Sequence, residues 1–222
     1  MKKNKKRSSI KSNNSRRSFL KLALGGTVSA SALYLGLTKD LYAAPSGPIV
    51  IGHQCELTGG FSSWGYWHDK CAKAAVKIIN EGGGIAGRKV KLAIEDTESN
   101  PAAGSRKLRS LIERRKASFV VGSVHSGIML ASIPIATELK TPYFSAGEAT
   151  EATGSKGSRY SFRTGTDTYA LAAAGAPWAF KNLGKTWTMI FPDYAWGHSH
   201  HQEHKKLIES LKTNSIITDK KG

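Results

Sequence analysis

The sequence predicts an α/β fold with a doubly wound parallel sheet for the part of the chain that follows residue 43. Short apolar runs alternate with amphipathic stretches from residue 48 to residue 145, and this β–α–β–α order implies a parallel sheet with helices on both faces. Loops rich in Gly, Ser, Thr, Glu and His follow the apolar runs, whereas the turns at the other edge are plainer. Because ligands of such sheets bind outside the carboxyl ends of the strands, the sequence predicts a binding edge.

Residues 1–43 predict an export signal that is not part of the fold. Met1–Lys21 is strongly basic and contains the run SRRSFLK, and the apolar stretch Leu22–Leu37 follows it. That stretch is interrupted by Gly and Ser and is shorter than the roughly 20 apolar residues that span a bilayer. The segment resembles a twin-arginine signal cleaved after Ala43, which implies the Tat export machinery as a partner and a periplasmic location.

The net charge falls by about half when this segment is removed. Residues 1–43 contain ten Lys or Arg and one acidic residue, so they carry nine of the 17 formal positive charges. The remaining basic residues are scattered, and no basic stripe interleaved with aromatic residues is present. We therefore expect no nucleic-acid partner.

The first helix–strand pair is predicted from periodicity. Pro48–His53 is an apolar strand, Trp64–Asn80 is a helix, Gly82–Gly87 ends that helix, and Arg88–Glu95 is the next strand. Helical spacing predicts an apolar stripe on this first helix. The stripe consists of Cys71, Ala74, Ala75, Ile78 and Ile79.

The next helix begins at a proline. Asn100 and Pro101 are typical of a helix start, which predicts a helix over Pro101–Arg115. Its inward residues are Leu108, Leu111 and Ile112. A further strand is predicted at Pro142–Ser145.

Between these elements lies the unit on which the predicted site depends. Phe119–Val121 is a short strand, and the helix that follows begins at His125 and Ser126. Ser126 is the predicted N-cap. The free N–H groups at such a helix start attract carboxylates, so its hydroxyl either caps the helix or contacts a ligand.

Two patterns imitate other sites. Gly82–Gly87 satisfies G-x-G-x-x-G, but it follows a helix and precedes a strand, which is the reverse of a dinucleotide site; it predicts a helix end and a turn. His200 and His204 are one helical turn apart, as in some metal sites. No Cys or acidic cluster accompanies them, and His204 is in register with apolar residues, so we predict no metal.

The two cysteines leave an open question. Cys55 and Cys71 are the only cysteines in the chain. A disulfide is permitted in an exported protein, and Cys71 lies on the predicted apolar stripe, where a buried free thiol packs equally well.

Several segments together resemble the periplasmic substrate-binding proteins of the branched-chain amino acid transporter type. The matching runs are IGHQCELTGGFSSWG, AVKIINEGGGIAGRKVKLAIEDTESNPAAGSRKL, VVGSVHSGIMLASIPIATELKTPYFSAGEAT, FRTGTDTYA and FPDYAWG. The resemblance implies a type I periplasmic-binding-protein-like fold, in which two α/β lobes joined by a hinge close on a small polar ligand. It also implies delivery of that ligand to an ABC permease.

The resemblance also implies the ligand-binding residues. Ser126, preceded by His125, matches the loop that holds a ligand carboxylate, and Ser145–Thr150 matches the next binding loop. Trp64 matches an aromatic wall, Asp167 a hinge-proximal acid, and Trp196 the aromatic residue of the second lobe. The implied ligand-binding set is Trp64, His125, Ser126, Glu148, Thr150, Asp167 and Trp196. As alternatives, the two tryptophans pack in the fold and Asp167 caps the helix that starts near Thr168.

The domain organisation follows from the same resemblance. We expect an N-terminal ligand-binding lobe over residues 44–165 and the first part of a second lobe over residues 166–222. Family members have roughly twice this mature length, so the second lobe is expected to be truncated. Its predicted elements are the helix Thr168–Leu183, the strand Thr186–Phe191, the helix Gly197–Leu211 and a strand starting at Ser215.

The expected function is capture of amino acids or related small carboxylates by an exported solute-binding protein. No cofactor is expected. An enzyme needs a nucleophile–base pair or a cofactor loop, and the sequence offers neither. The alternative is a ligand-sensing receptor domain of the same fold.

Overall fold

The computed structural model describes residues 47–219, with side chains as far as residue 212. The predicted export signal therefore lies outside the described residues. The strands are β1 (Ile49–Cys55), β2 (Val90–Asp96), β3 (Phe119–Gly122), β4 (Tyr143–Ser145) and β5 (Ser161–Arg163). The helices are α1 (Ser62–Glu81), α2 (Pro101–Glu113), α3 (Ser126–Glu138), α4 (Thr168–Asn182) and α5 (Ala195–Asp219), with a 3₁₀ turn at Thr150–Ala152.

The strands form one sheet in the order β2-β1-β3-β4-β5, and every neighbouring pair is parallel. This topology confirms the predicted α/β class. The edge strand β5 ends at Arg163, just before residue 165, where the sequence predicted the end of the first lobe. The carboxyl ends of β1, β3 and β4 lie side by side, so the loops that follow them meet at one edge.

One face of the sheet packs tightly against α2 and α3. Leu108 and Leu111 of α2 are fully buried, as predicted, and Met129 and Ile133 of α3 join them. At Gly52 of β1, a Cβ atom would approach Val120 Cγ2 to 2.9 Å and meet two further side chains. A larger residue therefore does not fit without displacing the core.

A buried polar network crosses this core. The Gln54 amide nitrogen donates to Gly104 O at 2.7 Å and to Ser132 Oγ at 3.1 Å, and Gln54 Oε1 accepts from the Tyr143 hydroxyl at 2.6 Å. Burial raises the pKa of Tyr143, so its hydroxyl stays protonated and donates. The network fixes the carboxyl end of β1 to α2, α3 and β4.

The predicted inward stripe of α1 is wrong. Cys71, Ala74, Ala75 and Ile78 are exposed, and Ile79 alone of the five is half-buried. The first turn of the helix lies close to the backbone just after β1, because a Cβ atom at Gly65 would lie 1.9 Å from Glu56 O. Periodicity identifies an apolar flank correctly, but it does not say which flank meets the sheet. Here the flank with Gly65, close to the Glu56 backbone, and Asn80, hydrogen-bonded to Val90, faces inward.

The same face of the sheet carries an aromatic row beyond α1. Phe119 and Phe144 meet edge-to-face at 6.1 Å between centroids, and Phe144 stacks on Phe162 at 4.9 Å. Phe119 and Phe144 are half-buried and Phe162 is exposed.

None of the described helices is long and apolar enough to cross a membrane.

The two cysteines are both free. Cys55 is buried and its thiol donates to Gly65 O at 3.2 Å, and burial raises its pKa to about 12. Cys71 is exposed. The Cys55–Cys71 disulfide is therefore not formed, and the buried free thiol is Cys55 and not Cys71.

The glycine run after α1 is the predicted turn. Gly83 and Gly84 have positive φ angles, and a Cβ atom at Gly84 would lie 2.0 Å from Arg88 O. These glycines end the helix and reverse the chain into β2.

Beyond residue 183 the structure differs from the sequence prediction. The helix predicted from Thr168 is confirmed as α4, but Thr186–Phe191 forms no strand, and α5 continues through Ser215, where a further strand was predicted. A strand requires a neighbour for its N–H and C=O groups. No strand pairs with residues 186–191 in the described chain, whereas a helix satisfies its backbone groups internally.

Candidate ligand-binding site

The start of α3 is capped by His125, so the prediction of Ser126 as the N-cap is wrong. His125 Nδ1 accepts from Gly127 N at 3.0 Å and from Ile128 N at 3.3 Å. An unprotonated Nδ1 can do this, which places the proton of the neutral ring on Nε2. Burial lowers the pKa of His125, which keeps the ring neutral. The helix-start N–H groups that were expected to face a ligand are thus bonded to the ring.

Ser126 joins two binding loops. Its hydroxyl oxygen accepts from Glu148 N at 3.0 Å and from Ala149 N at 3.2 Å, and the residue is 1% exposed. The loop after β4 is therefore held against the first turn of α3. The hydroxyl proton of Ser126 is not used in these two bonds, so it can still be donated in a hydrogen bond.

Glu148 and Trp196 meet across the site. Trp196 is near the start of α5, and its indole Nε1–H donates to Glu148 Oε2 at 2.7 Å. His200 lies one turn further along α5, and the centroid of its ring is 4.3 Å from that of the Trp196 ring. Burial, followed by the nearby His204, lowers the pKa of His200. Its Nε2 atom is buried and has no hydrogen-bond partner among the residues that the structure describes.

An aromatic cluster closes the space beside His125. Phe61 meets the His125 ring at 4.7 Å between centroids, and Tyr194 lies 4.8 Å from the same ring. Burial, with a smaller contribution from Glu148, raises the pKa of Tyr194. The loop before α5 thus rests directly on the loop after β3.

Thr150 belongs to a set of hydroxyls that fixes α4 and α5 to this edge. Thr150 Oγ1 and Thr168 Oγ1 are 2.8 Å apart, and Thr168 Oγ1 is 2.7 Å from Ser199 Oγ. Ser199 also donates to Glu151 Oε2 at 2.9 Å. Every hydroxyl in this set has partners inside the protein.

Asp167 has the capping role that the sequence offered as an alternative. Its Oδ1 accepts from Ala170 N at 2.6 Å, which caps α4, and its Oδ2 pairs with Arg163 Nη2 at 2.9 Å. Arg163 also donates to Ala149 O at 3.1 Å. The carboxylate therefore couples the end of β5 to the start of α4.

Trp64 stands apart from the other predicted residues. Its side chain is on α1 and is 59% exposed. Among the residues that the structure describes, no hydrogen bond or ring contact joins its indole to the other six.

Sequence reasoning missed a buried carboxylate at the end of β1. Glu56 is fully buried and accepts from the Ser123 hydroxyl through Oε1, while its Oε2 has no hydrogen-bond partner within residues 47–212. Ser123 O in turn accepts from the Ser145 hydroxyl at 2.7 Å. A charged residue directly after an apolar strand was the signal. Phe61 and Tyr194 were also missed, because a ring in a loop shows no periodicity.

Two surface grooves lie away from these residues. One of about 630 Å³ runs along α2, where Lys107 and Arg115 both pair with Glu95. The other, of about 220 Å³, lies between Trp187 and α5 and includes His201 and His204. The first is lined mainly by charged groups that pair with one another, as on an ordinary solvated helix face.

Known proteins match this fold and sequence. Residues 48–219 match the family described as periplasmic binding protein. The Leu/Ile/Val-binding protein homolog 1 of Brucella abortus is 26% identical over 171 residues, which is 76% of this chain and 46% of the relative. The chain therefore spans less than half the length of that relative.

Solved structures give the same result. A periplasmic binding protein from Burkholderia mallei superposes with a TM-score of 0.69 at 24% identity, covering 75% of this chain and 44% of the other. A solute-binding protein of an ABC transporter from Rhodopseudomonas palustris, in complex with 3,4-dihydroxybenzoic acid, has a TM-score of 0.65 at 26% identity, with 73% and 44% coverage. The chain belongs to the periplasmic binding protein family, and its fold is that of the branched-chain amino acid type.

Proposed function

We propose that this chain is part of an exported solute-binding protein that captures amino acids or related small carboxylates and delivers them to an ABC permease. The observation that carries the proposal is the meeting of Glu148 and Trp196 at the carboxyl edge of the sheet. These residues come from the loop after β4 and from α5, the two sides that the family resemblance assigns to opposite lobes. In the proposal, a ligand enters between them.

The contact between Glu148 and Trp196 indicates which groups the ligand carries. In this structure Glu148 Oε2 accepts a hydrogen bond from the indole Nε1–H of Trp196 at 2.7 Å. A ligand carboxylate can replace it there, which leaves Glu148 free to accept from a ligand ammonium. An α-amino acid provides both groups, whereas a simple carboxylate would set two anions side by side at a cost in binding free energy. We therefore favour amino acids over aromatic acids.

The other predicted residues have supporting roles in this proposal. Ser126 and Thr150 hold the loop that carries Glu148, and Asp167 sets the start of α4. The Nε2–H of His125 is the remaining donor of its ring, and the ring packs against Tyr194. Trp64 remains the proposed wall of the first lobe.

The ligand class is tested by equilibrium dialysis of residues 44–222 with isoleucine, phenylalanine and benzoate. With less than half of the relatives' length present, we expect only millimolar affinity for the amino acids, about 4 kcal/mol. Benzoate should bind more weakly still. Glu148→Gln should remove that preference, and Glu98→Gln, an exposed residue at the same edge, should keep it.

Two results of this experiment contradict the proposal. Benzoate binding that exceeds amino acid binding in the unsubstituted chain would show that Glu148 does not face the ligand. Sub-micromolar affinity for any ligand would show that the site is complete within these residues and that the two-lobe expectation is wrong.

Export through the twin-arginine route is the second part of the proposal. The paired Arg16 and Arg17 precede the weakly apolar Leu22–Leu37, as in signals read by that machinery. Replacing both by Lys should abolish the mature form in a periplasmic fraction of cells that produce the full chain. Undiminished export of the double variant would contradict the proposed route.

A further inference from the structure

Two buried polar groups follow the neighbouring strands β1 and β2. Glu56 Oε2 and Thr97 Oγ1 belong to fully buried residues, and neither atom has a hydrogen-bond partner in the part of the chain that the structure describes. Thr97 N donates to Cys55 O at 2.8 Å, which extends the ladder by one bond beyond the pair of Cys55 and Asp96. Glu56 and Thr97 are therefore the next pair, and their side chains project to the same face of the sheet.

This pair lies on the α2–α3 face of the sheet. Glu56 comes two residues after Gln54, whose amide binds α2 and α3, and alternate residues of a strand share a face. Glu56 Oε1 accepts from the Ser123 hydroxyl, and Ser123 Oγ accepts from His125 N at 3.1 Å. The Ser123 proton is thus committed to Oε1, and Oε2 is the carboxylate oxygen left without a donor.

Glu56 also lacks a positive charge to pair with. None of the ion pairs within residues 47–212 includes it. A carboxylate is rarely fully buried unless it is paired or coordinates a metal.

Further negative charge lies near the same strand end. Burial raises the pKa of the Cys55 thiol to about 12, with a further contribution from three nearby carboxylates, Glu56, Asp69 and Asp96. Asp69 pairs with Lys73, whereas Asp96 is held by hydrogen bonds from neutral groups. The local charge therefore favours a cation.

The available ligands decide the class of cation. Within the described residues, no group of three or more His, Cys, Asp or Glu side chains could hold a metal ion, and such groups are what Zn²⁺ and other transition metals need. Ca²⁺ requires more oxygen ligands than this pair offers, and Mg²⁺ gives up its water reluctantly. One buried carboxylate balances one positive charge, so the pair suits a monovalent cation.

We propose that Glu56 Oε2 and Thr97 Oγ1 bind an alkali cation, Na⁺ or K⁺, at the carboxyl ends of β1 and β2. Backbone carbonyls and buried water provide the remaining ligands. A water molecule alone can bridge the same two atoms, but it is neutral and leaves the charge of Glu56 without compensation. Neither residue belongs to the proposed ligand-binding set, so this site is separate from solute binding.

The cation acts on the fold through Ser123. Ser123 O accepts from the Ser145 hydroxyl at 2.7 Å and from Ala146 N at 3.0 Å. A cation that fixes Glu56 therefore also fixes the residue that joins the loops after β3 and β4. Because the two ligands come together only in the folded chain, the cation binds the folded state and stabilises it.

Urea unfolding of the full chain at constant ionic strength tests the site. Na⁺ or K⁺ is replaced stepwise by choline, which is too large for a buried site, so that screening by salt stays the same. If one ion binds only the folded chain, the unfolding equilibrium constant falls about tenfold for every decade of cation concentration above the dissociation constant. An unfolding constant that is the same in choline, Na⁺ and K⁺ would overturn the proposal and indicate a bridging water.

Three variants assign the effect to the pair. Glu56→Gln keeps an acceptor for Ser123 but removes the charge, and it should abolish the dependence on Na⁺ or K⁺. Thr97→Val replaces the hydroxyl by a methyl group and should weaken that dependence, which decides the question if Glu56→Gln does not fold. Glu98→Gln, an exposed carboxylate at the same edge, is the matched control and should keep it. A cation dependence that survives unchanged in Glu56→Gln or Thr97→Val would overturn the proposal.

Discussion

The two faces of the sheet use similar apolar patterns with opposite results. On the α2–α3 face, Leu108, Leu111 and Met129 are fully buried around the Gln54 network. On the other face, α1 buries only Gly65 completely, and the apolar residues Trp67 and Ile78 face outward. Helical periodicity therefore reports that a helix is amphipathic, but not which neighbour its apolar flank meets. Which flank becomes core depends on what lies against it, and at α1 the flank with Gly65 and Asn80 lies against the chain after β1 and against β2.

The largest expected effect on stability is at the buried face of α2. Leu111→Ala removes a fully buried side chain next to Gly52 and Val120, and we expect a loss of about 2–5 kcal/mol in the free energy of unfolding. Ile78→Ala, on the exposed flank, should change it by less than about 0.5 kcal/mol. Urea unfolding of reduced, dilute protein measures both. Equal losses would mean that the flank of α1 is covered by another part of the chain.

The sequence predicted the fold correctly because parallel α/β order has strong local signals. Leu108 and Leu111 were predicted inward, and the Gly82–Gly87 turn was predicted from its place after a helix. The wrong predictions concern elements whose structure depends on contacts with distant parts of the chain, which local sequence does not reveal. The strand predicted at Thr186–Phe191 has no neighbouring strand among the residues that the structure describes, and α1 is oriented by contacts of Gly65 and Asn80 that its apolar spacing does not reveal.

The candidate site was predicted in part. His125, Ser126, Glu148, Thr150 and Trp196 all lie at the carboxyl edge, as the α/β rule requires. Their roles were not predictable, because a histidine ring rather than the serine hydroxyl caps α3. The serine hydroxyl instead binds a loop 22 residues away, and contacts of that range leave no trace in local spacing.

A smaller effect is expected at the junction of the binding loops. Ser126→Ala leaves the buried amides of Glu148 and Ala149 without their acceptor, which should cost about 1–3 kcal/mol of unfolding free energy. Ser105→Ala is the control, since Ser105 only donates to Ala102 O on the surface of α2. Chemical denaturation of the two variants compares them. A neutral Ser126→Ala would show that the two loops are held by other contacts.

The helix cap at Asp167 should matter less. Asp167→Ala removes the acceptor for Ala170 N and the partner of Arg163, for an expected loss of about 0.5–2 kcal/mol. Asp167→Asn retains an N-cap oxygen without the charge and should recover most of it. Thermal unfolding distinguishes the two variants. If Asp167→Asn loses as much as Asp167→Ala, the ion pair rather than the cap is what stabilises this region.

The smallest effect is the pH dependence of stability. Burial lowers the pKa of His125, and also those of His53 and His200. Because the unfolded chain then binds protons more readily, their stabilisation is present above the unfolded pKa of about 6.5 and is lost as pH falls through the folded pKa.

His125→Asn tests this dependence, because asparagine also caps helices but does not titrate. Unfolding by urea at pH 7.5 and pH 5.5 should show a smaller loss of stability for this variant than for the unsubstituted chain. Identical pH profiles for His125→Asn and the unsubstituted chain would show that His125 does not contribute to the pH dependence of stability.

The most direct test of the proposed site is a map of ligand-induced shifts in an amide-resolved NMR titration of residues 44–222 with isoleucine. We expect the largest changes at the amides of Glu148 and Ala149 and at the indole N–H of Trp196, since these groups form or adjoin the Glu148–Trp196 contact. The contradicting result would be unchanged signals for these groups together with changes at the indole of Trp187, which lines the separate groove beside α5.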